Sequence, residues 1–585
     1  MSRLALLLCL AVPMLGQEFF PVDQVRAGQR AIGKTVFQGT EVEEFEIEIL
    51  GVLENFAGPK SSVIFGKLSG GPLARTGVMS GMSGSPVYID GRLAGAVALM
   101  FPFSKEPLAG IRPIGEMVAG FEEGTPSSSP LAAGPLDDWR ELAGMPRVAL
   151  PEASESASQF QPIATPVSFG GFSERTLAVF GERFKRLGLR PLQGAGGSLR
   201  DDAGGPLEPG SMISVGLIRG DMTMSASGTI THIDGDRVLA FGHRFMSAGD
   251  TQMPMMRASV MTLVPNLNAS FKLSGIGPLI GEVSMDRQAG IAGRLGPGPA
   301  MVPCKVRIVS PAGPIEEYSF EVVRDNLLTP MLLETALFSS ISVTERSLGP
   351  LTIRVRGSAA FTDGLPRLVL DDIYTGAAAV GQIAALSTVA PLAYLLETGH
   401  AGVEIESVDL EVEPVPADRY TDLVRAWLSK TQVRPGETVQ IHFAAKGPDG
   451  QEEIRTLPYE VPVSMPAGTV EVTIGDAVTA NLAEWRGLLG GRKVRDAADT
   501  IRFLNNLRGS DDAYLRVWRR KRSLWLHSDK LPAPPASLHA VLSTAEGRGS
   551  GATAELTTTL ADQRIGGFDG VVRGRIDLRF VVTGN

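Results

Sequence analysis

The sequence predicts a mainly β fold divided among several domains. Segments in which apolar and polar residues alternate recur along the chain, as at residues 42–53 and 403–412, and this period is that of half-buried strands. Asp-Gly pairs at residues 90–91 and 234–235 each separate two such segments, and this dipeptide favours the two-residue turn of a β-hairpin. The 585 residues are enough for about three or four domains.

The N-terminus predicts an exported protein. Arg3 supplies a short basic start, residues 4–15 form an apolar run and Gly16 is a small residue near a cleavage point, which together are the pattern of a signal peptide. The run is too short for a membrane span. Cys9 lies inside this segment, so the mature chain keeps only Cys304 and can form no internal disulfide. We expect a periplasmic or extracellular protein with no stable membrane anchor after signal cleavage.

Changes in composition indicate how the chain is divided. A stretch rich in Pro, Ser, Ala and Glu separates two β-rich parts, and a new alternating pattern begins near residue 401. The expected domains are a signal peptide (1–18), a β-rich unit bearing Ser83 (22–122), a linker (123–165), a β-rich unit bearing His243 (166–345), a connecting α/β segment (346–400), a β-sandwich (401–476) and a small α+β C-terminal module (477–585).

Charge and composition argue against several classes of function. A formal net charge of −9 and an isoelectric point near 5.4 argue against a nucleic-acid-binding surface, and we find no basic patch with interleaved aromatic residues. Residues 376–396 carry no charge but are rich in Ala, Gly, Ser and Thr, so we expect a buried helix rather than a membrane span. No Cys or His spacing indicates zinc, and we expect neither a metal nor a cofactor. The sequence does not predict an oligomeric state.

The most informative segment is GMSGSP at residues 81–86. A glycine two places before a serine lets the backbone turn so that two amides, those of Gly81 and Ser83, can point at one spot. Serine proteases build the oxyanion hole around their nucleophile in this way. The alternative interpretation of so short a pattern is a turn that only connects two strands.

A serine hydroxyl needs a neighbouring base to act as a nucleophile near neutral pH. The chain has six histidines and none precedes Ser83, so the base has to come from downstream. His232 and His243 both lie on residues 228–243, where an Asp-Gly turn predicts a hairpin. His243 follows a glycine just past the second strand, where a side chain can project into a cleft.

Three segments resemble one family of peptidases. Residues 77–97 resemble the serine segment of the SpoIVB-type sporulation peptidases, roughly T-G-G-I-x-x-G-M-S-G-S-P-x-x-x-x-G-x-x-x-G-A-V. Residues 228–243 resemble that family's histidine segment, and residues 281–293 resemble a further segment of it. In the family the histidine segment comes first, whereas here the serine precedes the histidine by 160 residues. The resemblance implies a chymotrypsin-like double β-barrel with the two halves in permuted order.

The same resemblance implies roles for particular residues. Ser83 would be the nucleophile, His243 the general base and later acid, and the amides of Gly81 and Ser83 the oxyanion hole. Ser83, unlike Ser85, has a glycine both two places before it and immediately after it. His243, unlike His232, carries the Gly-His signature of the family.

The acidic member of a catalytic triad is not fixed by the resemblance. The family's acidic position before the serine falls near residues 68–70, where this chain has no carboxylate. Asp250 and Asp286 are the acidic candidates after His243, although each also fits a solvated or turn-capping aspartate. A Ser–His dyad without an acid is the remaining alternative.

Two functions are compatible with these observations. The first is an exported serine endopeptidase that cleaves a protein substrate in a regulatory or processing role through an acyl-enzyme. The exposed composition of residues 123–161 adds the hypothesis of self-cleavage there. The second is a non-catalytic exported scaffold that keeps the peptidase fold and binds its partners through the β-sandwich. The missing acidic residue and the large unassigned part of the chain favour the second.

Overall fold

A computed structural model describes most of the chain: residues 19–56, 58–59, 61–121, 160–194, 205–267, 269–311, 313–344, 349–489, 496–521, 523–526, 529–531, 534–542 and 552–584. Strands make up 51% and helices 18% of the structure, so the prediction of a mainly β fold is confirmed. The expected signal peptide and most of the expected linker, with its hypothetical self-cleavage site, lie outside the described residues.

The first part of the chain forms a closed barrel of six strands. These are β1 (Arg30–Val36), β2 (Val42–Leu53), β3 (Val63–Ser69), β4 (Pro86–Ile89), β5 (Arg92–Met100) and β6 (Leu108–Pro113), with the helices α1 (Leu73–Thr76) and α2 (Ile114–Gly120) beside them. The ring order is β1–β2–β3–β6–β5–β4, and β4 pairs again with β1. The alternation in β2 explains its place, since Phe45, Ile47 and Ile49 enter the core while the intervening glutamates face solvent.

A short connection leads from this barrel to the next. It consists of β7 (Gln161–Pro162), β8 (Thr165–Gly170), α3 (Glu174–Arg186) and β9 (Leu189–Gln193). The side chain of Ser173 caps α3 by accepting a hydrogen bond from the Thr176 amide. Phe180 and Phe184 on the apolar face of α3 are buried in the core beneath the second sheet.

The second barrel repeats the topology of the first. Its strands are β10 (Met212–Gly220), β11 (Thr223–Asp234), β12 (Arg237–Ala240), β13 (Gly249–Val264), β14 (Phe271–Arg287) and β15 (Gly290–Leu295). They are joined in the order β10–β11–β12–β15–β14–β13, and β13 pairs back to β10. Counted from its own first strand, each barrel therefore has the order 1-2-3-6-5-4. This pair of barrels is consistent with the chymotrypsin-like fold that the resemblance implied.

The second barrel continues into a larger sheet covered by helices. The added elements are β16 (Met301–Val309), β17 (Ile315–Val323), α4 (Leu328–Thr344), β18 (Leu351–Phe361), β19 (Leu368–Gly376), α5 (Val380–Glu397) and β20 (Ile405–Val415). Strand β17 joins this extension to β10. Among the described residues, α5 is the helix long and apolar enough to cross a membrane by length and composition, and half of it is buried inside the structure.

The last part of the chain is a β-sandwich. Its elements are β21 (Tyr420–Leu428), β22 (Gln432–Val433), β23 (Thr438–Lys446), β24 (Glu452–Glu460), β25 (Gly468–Gly475), α6 (Ala477–Leu489), α7 (Ala497–Asn505), β26 (Ala513–Arg519), β27 (Ser523–Leu526), β28 (Asp529–Leu531), α8 (Ala536–Leu542), β29 (Ala552–Glu555), β30 (Thr558–Ile565), β31 (Val571–Arg573) and β32 (Arg575–Val582). The sheets β24–β23–β21–β31 and β22–β32–β25–β26–β30 enclose one core.

The boundaries expected for the sandwich, 401–476, differ from this arrangement at both ends. Strand β20 pairs with β16 and β18 of the preceding sheet instead of with the sandwich. Strands β26, β30, β31 and β32, expected in a separate C-terminal module, complete the two sandwich sheets. An alternating pattern shows that a strand has one buried face but does not identify its partner strand, which explains the difference.

Candidate active site

Ser83 and His243 occupy corresponding places in the two barrels. Ser83 lies in the connection between β3 and β4 of the first barrel, and His243 lies in the connection between β12 and β13 of the second. Each connection joins the third strand of its barrel to the fourth. We call residues 80–85 the serine loop and residues 241–248 the histidine loop.

Strand β11 lines the serine loop through three hydrogen bonds. The Thr229 amide donates to the Ser83 carbonyl at 2.9 Å, and the Thr229 hydroxyl donates to the Gly81 carbonyl at 3.0 Å. The Thr231 hydroxyl donates to the Gly84 carbonyl at 2.8 Å. Both threonines belong to the segment that resembles the family's histidine segment, so the two recognised segments are in direct contact.

The two loops also meet through a close backbone approach at Gly84. This glycine has φ +91°, and a Cβ placed on it would lie 2.0 Å from the Thr229 carbonyl oxygen and 2.5 Å from the Phe241 nitrogen. A side chain at this position would therefore collide with the backbone of the second barrel. The residue after Ser83 packs against Phe241, two residues before His243.

The hydroxyl of Ser83 is buried and makes no hydrogen bond to the described residues. Ser83 is 0% exposed, and its Oγ has no hydrogen-bond partner among the described residues. The neighbouring amides of Met82 and Gly84 donate to the carbonyls of Met79 and Val97. The amides of Gly81 and Ser83 donate to no acceptor in the described part of the chain. Two free amides beside a free hydroxyl are what an oxyanion hole requires, and their role stays a prediction.

The imidazole of His243 is held in one tautomer. Its Nδ1 lies 2.7 Å from the backbone carbonyl oxygen of Arg244, and because a carbonyl oxygen only accepts, Nδ1 carries the proton. Nε2 of the neutral ring is then an acceptor, and it is buried with no partner among the described residues. Burial is the largest of the effects that lower the pKa of His243 to about 4; the positive charges of Arg112 and Arg244 act in the same direction, and the hydrogen bond to the Arg244 carbonyl opposes them. The ring is therefore neutral at pH 7.

Asp286 shapes the histidine loop and does not bind the imidazole. Its buried carboxylate accepts hydrogen bonds from the amides of Phe245 (2.7 Å), Met246 (2.6 Å) and Ala248 (3.0 Å). Burial raises the pKa of Asp286, while these amide bonds lower it. None of the hydrogen bonds of the described residues joins this carboxylate to His243. Asp286 can therefore act on His243 only through the conformation of the loop.

The other candidate residues lie in different surroundings. Asp250 has an exposed side chain and forms an ion pair with Arg287 at 3.5 Å. The ring of His232 packs edge-to-face against Phe19 with centroids 5.3 Å apart. The Ser85 hydroxyl donates to the Thr35 hydroxyl at 3.0 Å. Ser85 is therefore committed to a structural bond, unlike Ser83.

The first barrel and its serine loop match a known family. Residues 18–111 match the SpoIVB peptidase S55 family. The match includes Ser83 and supports a SpoIVB-type peptidase family and a serine peptidase function in general, as the resemblance implied. It ends before His243, whose segment rests on the resemblance alone. No match to the chain was found among curated proteins or solved structures.

One residue next to the serine loop gave no signal in the sequence. Lys272 is buried beneath the serine loop, where burial lowers its pKa to about 7. It stands between Phe271 and Leu273 in an alternating segment, which predicts that it faces solvent. The structure shows the opposite, with Lys272 buried and its two apolar neighbours half-buried.

Proposed function

We propose that this serine peptidase is an exported endopeptidase that hydrolyses a protein substrate through an acyl-enzyme on Ser83. The observation that carries the proposal is the state of His243. Its Nδ1 is committed to a backbone carbonyl, which leaves Nε2 unprotonated and able to accept a proton. The contacting loop carries Ser83 Oγ and two amides that are equally uncommitted.

The proposed reaction follows from these free atoms. Ser83 Oγ attacks the carbonyl carbon of the scissile peptide bond, and its proton passes to Nε2 of His243. The carbonyl oxygen becomes an oxyanion that accepts hydrogen bonds from the amides of Gly81 and Ser83. The tetrahedral intermediate collapses, the C–N bond breaks, and Nε2 gives its proton to the leaving amine. Water then attacks the ester with His243 again as the base, which releases the second product and restores Ser83.

In this proposal the Arg244 carbonyl takes the place of a carboxylate on Nδ1. A carbonyl selects the same tautomer as a carboxylate does, but it carries no net charge to stabilise the imidazolium that forms. Replacing the carboxylate of a trypsin-like triad by an amide, which leaves the wrong tautomer, costs about 10⁴ in kcat. We expect the cost here to be smaller because the tautomer is retained.

Burial of the site favours a narrow processing role over general digestion. Ser83 is fully buried and His243 is 3% exposed, so a polypeptide reaches Ser83 Oγ only after the surrounding loops move. An enzyme whose active site must open before binding selects a substrate that binds the open conformation more tightly than the closed one. This restricts the range of proteins that it cleaves. Export is supported by the N-terminal pattern of the sequence, and self-cleavage within residues 123–161 stays a hypothesis beside this one.

A peptide-library digest tests the endopeptidase against the scaffold. The mature protein is incubated with a peptide mixture derived from a proteome, and new termini are identified by mass spectrometry. We expect a small set of internal cleavages that Ser83→Ala abolishes and that His232→Ala retains, since the ring of His232 packs against Phe19. The same cleavages from Ser83→Ala, or none from any folded protein, would favour the non-catalytic scaffold.

A further inference from the structure

A lysine lies buried where the two barrels meet. Lys272, on β14 of the second barrel, is 1% exposed, and within the described part of the chain it forms no ion pair with a carboxylate. Glu43 is the acidic residue that acts on it electrostatically, and burial outweighs that effect and lowers the pKa of Lys272 to about 7. Burying an amine without a counter-ion costs stability. A methionine of similar length would pack there without that cost.

The backbone of Lys272 holds the start of the serine loop. Its amide donates to the Ser80 carbonyl at 3.0 Å, and the Ser80 amide donates to the Ser270 carbonyl at 2.9 Å. These two bonds join residue 80 and residue 271 in a parallel bridge between the barrels. They are backbone bonds, so they do not by themselves require a lysine.

The side chain of Lys272 continues along the same loop. Its stem passes Gly81 so closely that a Cβ on this glycine would lie 3.3–3.4 Å from three of its carbon atoms. Its Nζ donates to the Thr35 hydroxyl at 2.7 Å. Thr35 Oγ1 also accepts from the Ser85 hydroxyl at 3.0 Å. The lysine thus contacts the loop near its start and, through Thr35, holds its end.

We propose that Lys272 is a positioning residue that fixes the serine loop between the barrels through Thr35 and Ser85, and so keeps the Gly81 and Ser83 amides in place. The catalytic part of this inference rests on the proposed function, whereas the ordering of the loop does not. If Lys272 only filled space, its replacement by methionine would change neither the order of the loop nor the reactivity of Ser83. If it positions the loop, the replacement would reduce both, because methionine cannot donate a hydrogen bond to Thr35.

The test compares Lys272→Met, Thr35→Val and the conservative Thr35→Ser in the full mature chain. Amide hydrogen exchange of the peptide covering residues 79–86 reports the order of the loop. The second-order rate of Ser83 modification by a fluorophosphonate reports its reactivity. We expect Lys272→Met and Thr35→Val to speed exchange in this peptide at least 10-fold and to slow modification 10- to 100-fold. Lys272→Met should not lower the melting temperature, and Thr35→Ser should retain wild-type values.

The outcomes separate this inference from the proposed function. Unchanged exchange and modification in both Lys272→Met and Thr35→Val would overturn it, as would a loss that Thr35→Ser shares fully. If Lys272→Met fails to fold, the Thr35→Val and Thr35→Ser pair decides, because both leave the lysine in place. Faster exchange in the variants of a wild-type protein that the probe does not modify would support the positioning role and contradict the peptidase mechanism.

Discussion

Replacing His243 by alanine is expected to reduce peptide hydrolysis by 10²- to 10⁴-fold, the contribution typical of a positioned acid–base group. His243 is the histidine whose Nε2 is buried without a partner among the described residues, and Phe241, two residues before it, contacts Gly84 of the serine loop. The matched control is His232→Ala, since His232 packs against Phe19 on the same hairpin. We expect the control to stay within a few-fold of wild type. Equal losses of peptide hydrolysis in the two variants would show that activity depends on the integrity of the hairpin and not on the imidazole of His243.

The same histidine is expected to set the acid side of the pH profile. The proposed mechanism requires the neutral ring, and burial is the largest effect that lowers the pKa of His243 to about 4. Activity measured as kcat/KM should therefore persist below the ordinary histidine pKa of about 6.5 and be lost as the pH falls through about 4. A loss centred between pH 6 and 7 would contradict the buried, carbonyl-bonded imidazole.

Gly84→Ala is expected to have the largest effect on stability. Its new Cβ would lie 2.0 Å from the Thr229 carbonyl oxygen, in a backbone conformation that alanine disfavours. The barrels would have to separate locally, so we expect a loss on the order of 4 kcal/mol together with loss of activity. The effect can be measured from the first unfolding transition in denaturant.

Gly235→Ala is the control for this substitution. Gly235 also has a positive φ, +58°, but a Cβ there meets no atom within 4 Å. It should cost only the backbone strain, about 1 kcal/mol. Similar losses for both variants would mean that the contact between the serine and histidine loops is not what makes Gly84 necessary.

Both barrels have the same strand order, and this explains why the order of the serine and histidine segments can be reversed. The serine and the histidine each sit between the third and fourth strands of a barrel. When two units of equal topology pack with these connections facing each other, either unit can come first in the chain. The strand order gives the two segments equivalent places in their barrels, and the contacts of Gly84 with Thr229 and Phe241 bring them together.

The sequence could not predict how His243 is oriented. The acceptor of its Nδ1 is a backbone carbonyl, and the direction of a carbonyl depends on loop conformation. In the histidine loop, Phe241 (φ +70°) and Ser247 (φ +62°) adopt backbone angles that are uncommon outside glycine, and Asp286 holds the intervening amides. Asp286 was a candidate on chain position alone, but its bonds to the loop depend on long-range packing.

The sequence also could not predict which strands pair with one another outside the hairpins. Local alternation and Asp-Gly turns predicted β structure and the hairpin of β11 and β12. The pairing of β25 with β32, about a hundred residues later in the chain, has no local signal. Lys272 shows a different limit. Its segment alternates, which predicts that the lysine faces solvent, but the lysine is buried and its Nζ donates a hydrogen bond to the Thr35 hydroxyl.

Locating a fluorophosphonate adduct tests the central claim most directly. The folded mature protein is exposed to the reagent, digested, and the modified residue is identified by mass spectrometry. We predict a single adduct on Ser83 that forms far more slowly in His243→Ala and within a few-fold of the wild-type rate in His232→Ala. An adduct on Ser85, or a folded protein that stays unmodified on prolonged exposure, would contradict the assignment of Ser83 as a nucleophile activated by His243.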